Sequence, residues 1–340
     1  MLTLNNTEKD ELKIYKKIYY YDLTDHIIYR FKNLKSIGTG SFSTVVKAID
    51  YKNKSYNAIK IIHNSTLKKM DNPLNEINIL KTLKHKEQNH ITKLVEYFFF
   101  RKNLYMVFNL YDITLQDYIY NSNLNSNLNS NLNSNLNSNL DSNYIKQIVS
   151  GIQFLNLNHI IHADIKPNNI VFKDNTYQKI MLIDFGNSIT FDTITTYYNK
   201  TIQTISYRSP EICINNLCTV KQHFNYKIDI WSVGCVLYEL IFKKRLFENT
   251  KNIDLFINHN IIFDPPPNNY LLTLKELHHC YDCIESPSFI KYNNIIYSFN
   301  KLKFIKKHIE HSKIIELILH CCEWNINKRF TCEQILNFKF

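Results

Sequence analysis

Apolar and polar residues alternate in several segments of the first third of the chain, which is the pattern of strands with one buried face. The segments with this alternation are Phe31–Ile37, Thr44–Asp50, Ser55–Ile62, Lys93–Phe100 and Asn103–Leu110. Leu74–Leu83 instead has apolar residues at helical spacing. The first third therefore predicts a five-stranded sheet with one main helix.

The remainder of the chain has helical periodicity, in segments joined by loops rich in Asn, Gly and Pro. Helices are predicted for Tyr144–Leu157, Ile228–Ile241 and Ile314–Cys322. The most apolar stretch, Ile228–Phe242, is 15 residues long and contains two acidic residues, so it is too short and too charged to span a bilayer. We expect a buried helix there.

Five copies of the tetrapeptide Asn-Ser-Asn-Leu follow one another from Asn121 to Leu140. A leucine at every fourth position imitates a helical stripe, but Asn and Ser are weak helix formers that compete for backbone hydrogen bonds. We therefore predict a solvated loop, inserted into the domain without a functional site.

The composition is that of a globular protein, because 340 residues with 44% hydrophobic and 14% aromatic content can bury a sizeable core. The formal net charge is +11, but Lys and Arg are spread along the chain. This distribution favours a solvated basic surface, and nucleic-acid binding stays an open alternative. The N-terminal segment Met1–Lys17 lacks the apolar core of a secretory signal, so we expect an intracellular protein, cytoplasmic or nuclear, with no membrane segment.

Eight cysteines are scattered through the sequence. Cys280 and Cys283 have the two-residue gap typical of zinc ligands, and two histidines precede them. A zinc site needs a second pair of ligands, for which the candidate is the segment His320–Cys322. Ordinary reduced thiols are the favoured interpretation for an intracellular chain, and metal binding by the pair stays open.

Two glycines lie in a turn between the first two predicted strands, where a missing Cβ lets the backbone approach a triphosphate. By itself a Gly-x-Gly turn is more often an ordinary hairpin. Lys60, on the next predicted strand, changes the balance, because its ammonium group could reach the α- and β-phosphates of a nucleotide. Glu76, on the following helix, is the candidate carboxylate that keeps Lys60 charged and oriented. The residues of the turn are Ile37, Gly38, Thr39, Gly40, Ser41, Phe42, Ser43, Thr44 and Val45.

A second constellation, Ile161–Asn169, is far more specific. Its sequence Ile-His-Ala-Asp-Ile-Lys-Pro-Asn-Asn resembles the catalytic loop of eukaryotic protein kinases, and the tripeptide that begins at Asp184 resembles the family's metal-binding Asp-Phe-Gly. By this resemblance Asp164 accepts the proton of the substrate hydroxyl, and Lys166 steadies the γ-phosphate of ATP. Asn169 and Asp184 are then ligands of Mg²⁺, so the implied cofactors are ATP and Mg²⁺.

The resemblance continues to the end of the chain. Tyr207–Glu211 is similar to the family's Ala-Pro-Glu motif, and Arg329 stands where the family has the arginine that pairs with this glutamate. Asp229–Gly234 resembles its buried central helix. The implied fold is α+β and two-lobed, with a small lobe formed by the five-stranded antiparallel sheet and one main helix, and a larger, mostly helical lobe. The kinase domain then covers residues 31–340 after the lead-in 1–30, with the small lobe and hinge at 31–111 and the large lobe at 112–340.

The resemblance also assigns an adenine site. Phe108 lies behind the adenine, and the hinge Asn109–Tyr111 meets the purine edge with its backbone. Val45 and Ala58 cover one face of the ring and Val171 covers the other, although core packing alone is compatible with all three side chains.

Two residues favour serine and threonine over tyrosine as the acceptor. Lys166 follows the catalytic aspartate at the Ser/Thr spacing, whereas a tyrosine kinase would have an arginine in this loop. Thr204 stands where Ser/Thr kinases place a hydroxyl that bridges Asp164 and Lys166. The sequence is thus identified as that of a serine/threonine protein kinase.

Within the kinases the sequence is most similar to the CMGC group, in particular to SR-protein kinases, LAMMER-type kinases and the dual-specificity tyrosine-regulated kinases. Two arginines that many kinases use to bind a phosphorylated activation loop are replaced, by Ala163 and by Ile205. Activity is therefore predicted to be independent of phosphorylation of that loop. The loop nevertheless contains Tyr197, Tyr198 and Thr201, the last at the position of the tyrosine in tyrosine-regulated kinases.

Three other functions stay open. A pseudokinase would bind ATP as a scaffold without transferring phosphate, a small-molecule kinase would share the fold, and a nucleic-acid binder would use the basic surface. The expected partners are protein substrates whose serine is flanked by arginine or followed by proline, and we expect a monomer. Neither the physiological substrate nor the regulators are identified by the sequence.

Overall fold

The strands of the first part of the chain, which the alternating pattern predicted, pair into one sheet. The computed structural model describes residues 26–27, 30–40, 43–84, 90–121, 134–219, 221–248, 251–263, 289–292, 295–298 and 312–339. The strands of the sheet are β1 His26–Ile27, β2 Phe31–Thr39, β3 Thr44–Asp50, β4 Ser55–Ile62, β5 Leu94–Phe100 and β6 Asn103–Asn109. Their order is β1-β2-β3-β4-β6-β5, and every neighbouring pair is antiparallel.

All five predicted strands are present in the sheet, and a sixth, β1, extends it by one strand that the sequence did not predict. β1 lies within the predicted lead-in and pairs with β2, His26 opposite Lys32 and Ile27 opposite Phe31. A strand of two residues is too short to produce an alternating pattern in the sequence. Its partner is the open edge of β2, whose backbone groups are available for pairing.

An aromatic core lies on one face of this sheet. The rings of Phe31 and Phe98 stack with centroids 6.1 Å apart, and those of Phe98 and Tyr105 stack at 5.2 Å. Two helices follow β4, α1 Asn64–Leu67 and α2 Asn75–Leu83, and α2 is the predicted main helix. The buried members of this core are Phe31, Val46, Ala48, Ile59, Phe98, Tyr105 and Val107.

The chain divides into two compact units after Asp112. The first contains the described residues up to 84 together with Thr92–Asp112, and the second contains the rest. The second unit is mostly helical, as predicted, and two of its short strand pairs, Ile160–Ile161 with Ile189–Thr190 and Ile170–Phe172 with Ile180–Leu182, flank the candidate catalytic loop. Its strands are β7 Ile160–Ile161, β8 Ile170–Phe172, β9 Ile180–Leu182, β10 Ile189–Thr190, β11 Phe289–Tyr292 and β12 Ile295–Ser298.

The second unit is built around one buried helix. Its helices are α3 Leu115–Tyr120, α4 Ser134–Leu157, α5 Pro210–Leu217, α6 Lys227–Phe242, α7 Asn252–Phe263, α8 Ser312–Cys321 and α9 Cys332–Leu336. Every residue of α6 from Ile228 to Leu240 is buried, as predicted from its continuous apolar sequence. Short 3₁₀ helices occupy Pro167–Asn169, Phe191–Tyr197 and Ile205–Tyr207.

Helix α4 begins at Ser134, inside the Asn-Ser-Asn-Leu repeat. The loop prediction is therefore wrong for residues 134–140, and residues 122–133 of the repeat lie outside the described residues. Asn and Ser are each only about 0.5 kcal/mol less favourable than alanine within a helix. Nucleation is the expensive step, and the packed part of α4, where Tyr144, Ile145 and Ile148 are buried, already supplies it.

The six described cysteines are buried free thiols: Cys213, Cys218, Cys235, Cys321, Cys322 and Cys332. Cys280, Cys283 and the two histidines before them lie outside the described residues. Within the ranges given above, no helix has the length and apolar character needed to cross a membrane.

Candidate active site

The glycine turn joins β2 to β3 in the first unit. Gly38 pairs with Val45, and the amide of Gly40 donates to the carbonyl of Ser43 at 2.8 Å. Neither glycine has a positive φ, and an added Cβ would lie no closer than 3.8 Å to Val45 Cβ or 3.7 Å to Ser43 O. Packing among the described residues therefore does not require glycine here, which leaves the open backbone for another molecule to approach. The rest of the predicted turn, Ser41 and Phe42, lies outside the described residues.

Lys60 and Glu76 form a close ion pair in the first unit. Lys60 lies on β4 and Glu76 in the first turn of α2, and Lys60 Nζ donates to Glu76 Oε2 at 2.6 Å. Their side chains are 14% and 5% exposed. The positive end of the helix dipole adds to the stabilisation of the carboxylate. The predicted pairing of lysine and glutamate is thus present, and it fixes the direction of the lysine side chain.

The residues assigned to the adenine fall on adjacent strands. Ala58 on β4 lies opposite Phe108 on β6, and Val45 on β3 lies opposite Lys60. Ile37 remains 48% exposed although its side chain is large and apolar. An exposed isoleucine beside the glycine turn provides apolar surface for a flat ring to cover.

The predicted hinge follows β6 directly. Asn57 Nδ2 donates to the carbonyl of Phe108 at 3.1 Å, and the hydroxyl of Tyr111 accepts a hydrogen bond from Thr92 at 3.3 Å. Asn109 is exposed at the end of the strand. In the second unit, Val171 is buried in β8 opposite Met181.

Asp164 is the centre of a hydrogen-bond network in the second unit, and only 4% of its surface is exposed. Its Oδ1 accepts from Thr204 Oγ1 at 2.7 Å and from Thr204 N at 3.1 Å. Its Oδ2 accepts from Lys166 Nζ at 2.8 Å and from Asn169 Nδ2 at 3.2 Å. Lys166 Nζ also donates to Thr204 Oγ1 at 2.9 Å, so the threonine hydroxyl bridges the lysine and the aspartate. The carboxylate is therefore held in a single orientation by charged and neutral donors.

Asp229 holds the loop that carries this carboxylate. Its Oδ2 and Oδ1 accept from the consecutive amides of His162 at 2.8 Å and Ala163 at 2.9 Å. Ala163 has φ 61°, a left-handed conformation that costs a non-glycine residue about 1 kcal/mol or more. Asp229 is fully buried at the start of α6, and burial raises its pKa to about 7, against the lowering effect of the two amides. The central helix thus fixes the backbone one residue before Asp164.

His162 links the catalytic loop to the segment that begins at Asp184. Its ring packs on Phe185 with centroids 4.9 Å apart. Burial lowers the pKa of His162, so the ring is neutral. Nε2 then donates to the carbonyl of Ile183 at 3.1 Å, and Nδ1 accepts from the amide of Asp164 at 3.3 Å.

The proposed magnesium ligands flank a pair of antiparallel strands, Asn169 directly before β8 and Asp184 two residues after the end of β9. The amide of Ile183, immediately before Asp184, donates to the carbonyl of Asn169 at 3.0 Å. Asn169 Nδ2 is engaged by Asp164, whereas Asn169 Oδ1 accepts no hydrogen bond from any described residue. One carboxylate and one amide oxygen match the few hard oxygen ligands that Mg²⁺ takes from proteins when phosphates complete its shell. The donor set therefore fits this ion.

The backbone around Thr204 is fixed by two buried polar side chains. Gln203 has φ 60°, and its side chain bonds Ile228 O and Ser232 Oγ, both at 2.9 Å. Arg208 donates to Gln203 O at 2.6 Å and to Ile202 O at 2.9 Å, and also contacts Asn252. The segment is thus held by neutral acceptors of the protein itself.

Sequence reasoning did not assign positioning roles to Asp229, Gln203 and Arg208. A usable signal existed for Asp229, because an aspartate in an otherwise apolar helix must find hydrogen-bond donors when it is buried. Gln203 and Arg208 gave no such signal, since several of their partners are backbone carbonyls and an amide that any sequence possesses.

Comparison with known proteins agrees with this geometry. The model of the protein kinase domain family matches residues 31–340. The probable serine/threonine-protein kinase dyrk2 of Dictyostelium discoideum is 32% identical over 91% of this chain and 32% of its own length. The dual specificity tyrosine-phosphorylation-regulated kinase 2 of Drosophila melanogaster is 27% identical over 99% of this chain and 49% of its own length. The dual specificity tyrosine-phosphorylation-regulated kinase 4 of Homo sapiens is 27% identical over 96% and 59%.

The chain spans between about a third and three fifths of the length of these relatives. Their names confirm the predicted likeness to the dual-specificity tyrosine-regulated kinases of the CMGC group. Because the family's model accounts for nearly the whole chain, including every residue that surrounds Asp164, this chain belongs to the protein kinase domain family.

Proposed function

We propose that this chain is a serine/threonine protein kinase that transfers the γ-phosphate of ATP to hydroxyl groups of protein substrates. The observation that carries the proposal is the position of Thr204 Oγ1, which bridges Asp164 and Lys166 at 2.7 Å and 2.9 Å. A buried carboxylate fixed by a threonine and a lysine is suited to orient a small aliphatic hydroxyl and to accept its proton.

The reaction moves one proton and one phosphoryl group. The substrate oxygen forms a bond to the γ-phosphorus, the bond to the β–γ bridging oxygen breaks with its electron pair going to ADP, and the hydroxyl proton passes to Asp164. Five donor atoms occupy the two oxygens of Asp164, the fifth being Asn187 Nδ2 at 3.5 Å from Oδ2. Lys166 has a flexible side chain that is 22% exposed, so it can turn to the γ-phosphate and leave room on Oδ2 for the substrate hydroxyl.

ATP and Mg²⁺ are assigned to the residues that carry the matching chemistry. Lys60, oriented by Glu76, would contact the α- and β-phosphates, and the backbone of Gly38 and Gly40 would lie over them. Asn169 and Asp184 would hold Mg²⁺, which neutralises charge on the phosphate oxygens when it is bound. The adenine contacts are those predicted above: Val45, Ala58, Phe108, Asn109, Tyr111 and Val171.

Lys166 and Thr204 support serine or threonine as the acceptor rather than tyrosine. The names of two relatives include dual specificity and regulation by tyrosine phosphorylation. Thr201 occupies the corresponding tyrosine position of this chain, so we do not extend tyrosine regulation to it.

Of the two predicted substrate preferences, a following proline has support from the backbone. The carbonyl of Gln203 accepts from the buried guanidinium group of Arg208 at 2.6 Å, so the amide of a peptide bound alongside Thr204 would have to compete with Arg208 for it. A substrate amide facing this position would lose its hydrogen bond, whereas proline has no amide hydrogen to lose. An intracellular monomer, in cytoplasm or nucleus, completes the proposal.

The test is transfer of labelled phosphate from magnesium ATP to a degenerate peptide array. Asp164→Asn should reduce incorporation at least about a thousandfold, because it removes the group that accepts the proton. Asp192→Asn changes an exposed aspartate of the same unit and should retain activity. Unchanged incorporation by Asp164→Asn would refute the proposed mechanism, and absence of transfer by the wild type with ATP still bound would favour the pseudokinase alternative. Transfer to small molecules but to no peptide would favour the small-molecule kinase.

A further inference from the structure

A polar pocket lies beside the candidate catalytic loop, within the second unit. Its volume is about 430 Å³, enough for one or two side chains of a peptide. Lys166 and Thr204 form its wall nearest to Asp164. The residues that line it are Gln116, Lys166, Asn168, Thr204, Ile205, Ser206, Tyr207 and Arg245. None of them was assigned above to the nucleotide or the metal except Lys166.

All charged side chains that line this pocket are positively charged. Its lining contains two cations, Lys166 and Arg245, and no acidic residue. The side chain of Arg245 is 46% exposed, and no described residue accepts a hydrogen bond from its guanidinium group. A guanidinium group has five N–H donors in a planar fork that matches the oxygens of a carboxylate or a phosphate.

The carboxylate nearest to Arg245 is sealed off from the pocket. Glu239 has no exposed surface, and its oxygens accept from Tyr120 at 2.8 Å and from Tyr207 at 2.6 Å. Arg245 Nε lies 3.9 Å from Glu239 Oε1, too far for a hydrogen bond. A cationic residue of a substrate therefore cannot reach Glu239, and would meet Arg245 first.

The two tyrosines keep this arrangement stable around neutral pH. Burial, together with the carboxylate of Glu239, raises the pKa of both Tyr120 and Tyr207. Their hydroxyl groups consequently stay protonated and continue to donate to Glu239. The negative charge of Glu239 is satisfied beneath the pocket by the two hydroxyl groups, and the side chain of Arg245 stays partly exposed above it.

We propose that this pocket binds an anionic side chain of the substrate, close in sequence to the phosphorylated hydroxyl, and that Arg245 is the residue that selects it. The inference rests on the kinase function proposed above and names its substrate class. A phosphorylated serine or threonine fits better than Asp or Glu, because a phosphate offers three acceptor oxygens and nearly two negative charges. Arginine beside the acceptor is correspondingly disfavoured.

Binding and turnover test the inference separately. The first arm measures binding of a fluorescent peptide to Asp164→Asn, which should hold substrate without consuming it. Phosphoserine or glutamate is placed at each position flanking the acceptor and compared with alanine and arginine. At the favoured position we expect about tenfold tighter binding for phosphoserine than for alanine, and a smaller gain for glutamate. The gain should shrink at high salt, because Arg245 is partly exposed to screening ions.

The second arm compares kcat/KM of the same peptides for the wild type and for variants. Arg245→Gln should remove the preference for anions, and Arg245→Glu should reverse it towards arginine. Lys328→Glu makes the same change of charge at an exposed lysine elsewhere in the unit and should keep the wild-type ratio. If Arg245→Glu fails to fold beside Glu239, Arg245→Gln still decides the matter.

The outcomes distinguish the two proposals. Equal binding of all peptides, preferred binding of arginine, or an anion preference that survives Arg245→Gln would each overturn the assignment of this pocket while leaving the kinase function intact. Failure of the wild type to phosphorylate any peptide would contradict the kinase function alone, since the binding arm does not depend on turnover.

Discussion

Arg329 and Glu211 form a two-pronged ion pair that has no exposed surface. Arg329 Nη1 donates to Glu211 Oε1 at 2.7 Å, and Nη2 donates to Oε2 at 3.0 Å. Arg329 also donates to the carbonyls of Lys227 and Glu323, both at 2.9 Å. One side chain thus joins the start of α5, the start of α6 and the segment before α9.

Breaking this pair should destabilise the second unit strongly. Arg329→Met leaves the carboxylate of Glu211 buried without its partner, and we expect a loss of about 3–5 kcal/mol in the free energy of unfolding. Denaturant titration followed by circular dichroism measures it. The double variant Glu211→Leu with Arg329→Met should lose less than the sum of the single variants, because no charge is then left unpaired.

The exposed pair Lys313–Glu316 provides the control. Lys313 Nζ lies 3.3 Å from Glu316 Oε2, and the two side chains are 64% and 48% exposed. Glu316→Gln should change stability by no more than about 0.5 kcal/mol. A loss of similar size at both pairs would contradict the argument from burial.

Activity should not depend on phosphorylation of the activation loop. Arg208 lies near that loop and donates to the carbonyls of Ile202 and Gln203. These hydrogen bonds hold the segment in place without a phosphate group. Protein treated with a phosphatase and then freed from it should keep its kcat to within about twofold, because no charge-assisted contact is lost. Mass spectrometry confirms removal of phosphate, and loss of activity on treatment would refute the prediction.

Replacement by alanine should lower stability at one glycine, Gly234, and weaken ATP binding at another, Gly38. At Gly234, on α6, a Cβ would lie 2.6 Å from Cys322 Sγ and 2.9 Å from Cys321 Cβ, so Gly234→Ala should cost about 1–3 kcal/mol of stability. At Gly38 there is room, so Gly38→Ala should leave stability within about 0.5 kcal/mol of the wild type. Its effect should instead be an increased KM for ATP. Thermal unfolding and steady-state kinetics on the same preparations separate the two.

Acidification should destabilise the protein through a buried histidine. Burial first, and then the charge of Arg329, lowers the pKa of His259 well below its ordinary value of 6.5. The unfolded chain therefore takes up the proton first, so stability is complete above about pH 6.5 and falls as the pH drops below it. His259→Phe should reduce this fall, since both ring nitrogens lack hydrogen-bond partners among the described residues and the ring lies between aromatic neighbours such as Trp231.

The comparison isolates His259 from other titrating groups. Asp229 acts in the opposite direction, because its pKa of about 7 lets the folded state bind a proton that the unfolded state lacks over the same range. The difference in unfolding free energy between wild type and His259→Phe, measured from pH 8 to pH 5, removes that contribution. His63→Phe makes the same substitution at an exposed position and serves as the matched control.

Much of the sheet could be predicted from local pattern. Thr44–Asp50 and Ser55–Ile62 were predicted with the bounds that the structure has, because alternation along a half-buried strand is recorded in the residues themselves. β1 could not be found in this way, since two residues carry no period. The start of α4 was missed because helix propagation depends on the packed residues that follow the repeat, not on the repeat itself.

The sequence predicted those site residues whose role follows from their charge and spacing. It predicted less well the residues that act through contacts with backbone groups. Asp164, Lys166 and Asn169 are close in sequence, so their convergence follows from one loop. The bridge by Thr204 required the resemblance to a known family, because it joins segments distant in sequence. The grip of Asp229 on two successive amides depends on how α6 packs against the loop, which no local pattern records.

The hydrogen bonds of Asp229 to the amides of His162 and Ala163 connect Arg329 to the loop that carries Asp164. Arg329 holds the first turn of α6 through Lys227, and Asp229, two residues later, holds the loop of Asp164. A stop codon at the position of Arg329 would delete this clamp while sparing every residue proposed to contact ATP or substrate. The shortened product would keep every motif residue of the candidate site and yet lose the contact that fixes the start of α6 beneath the Asp164 loop.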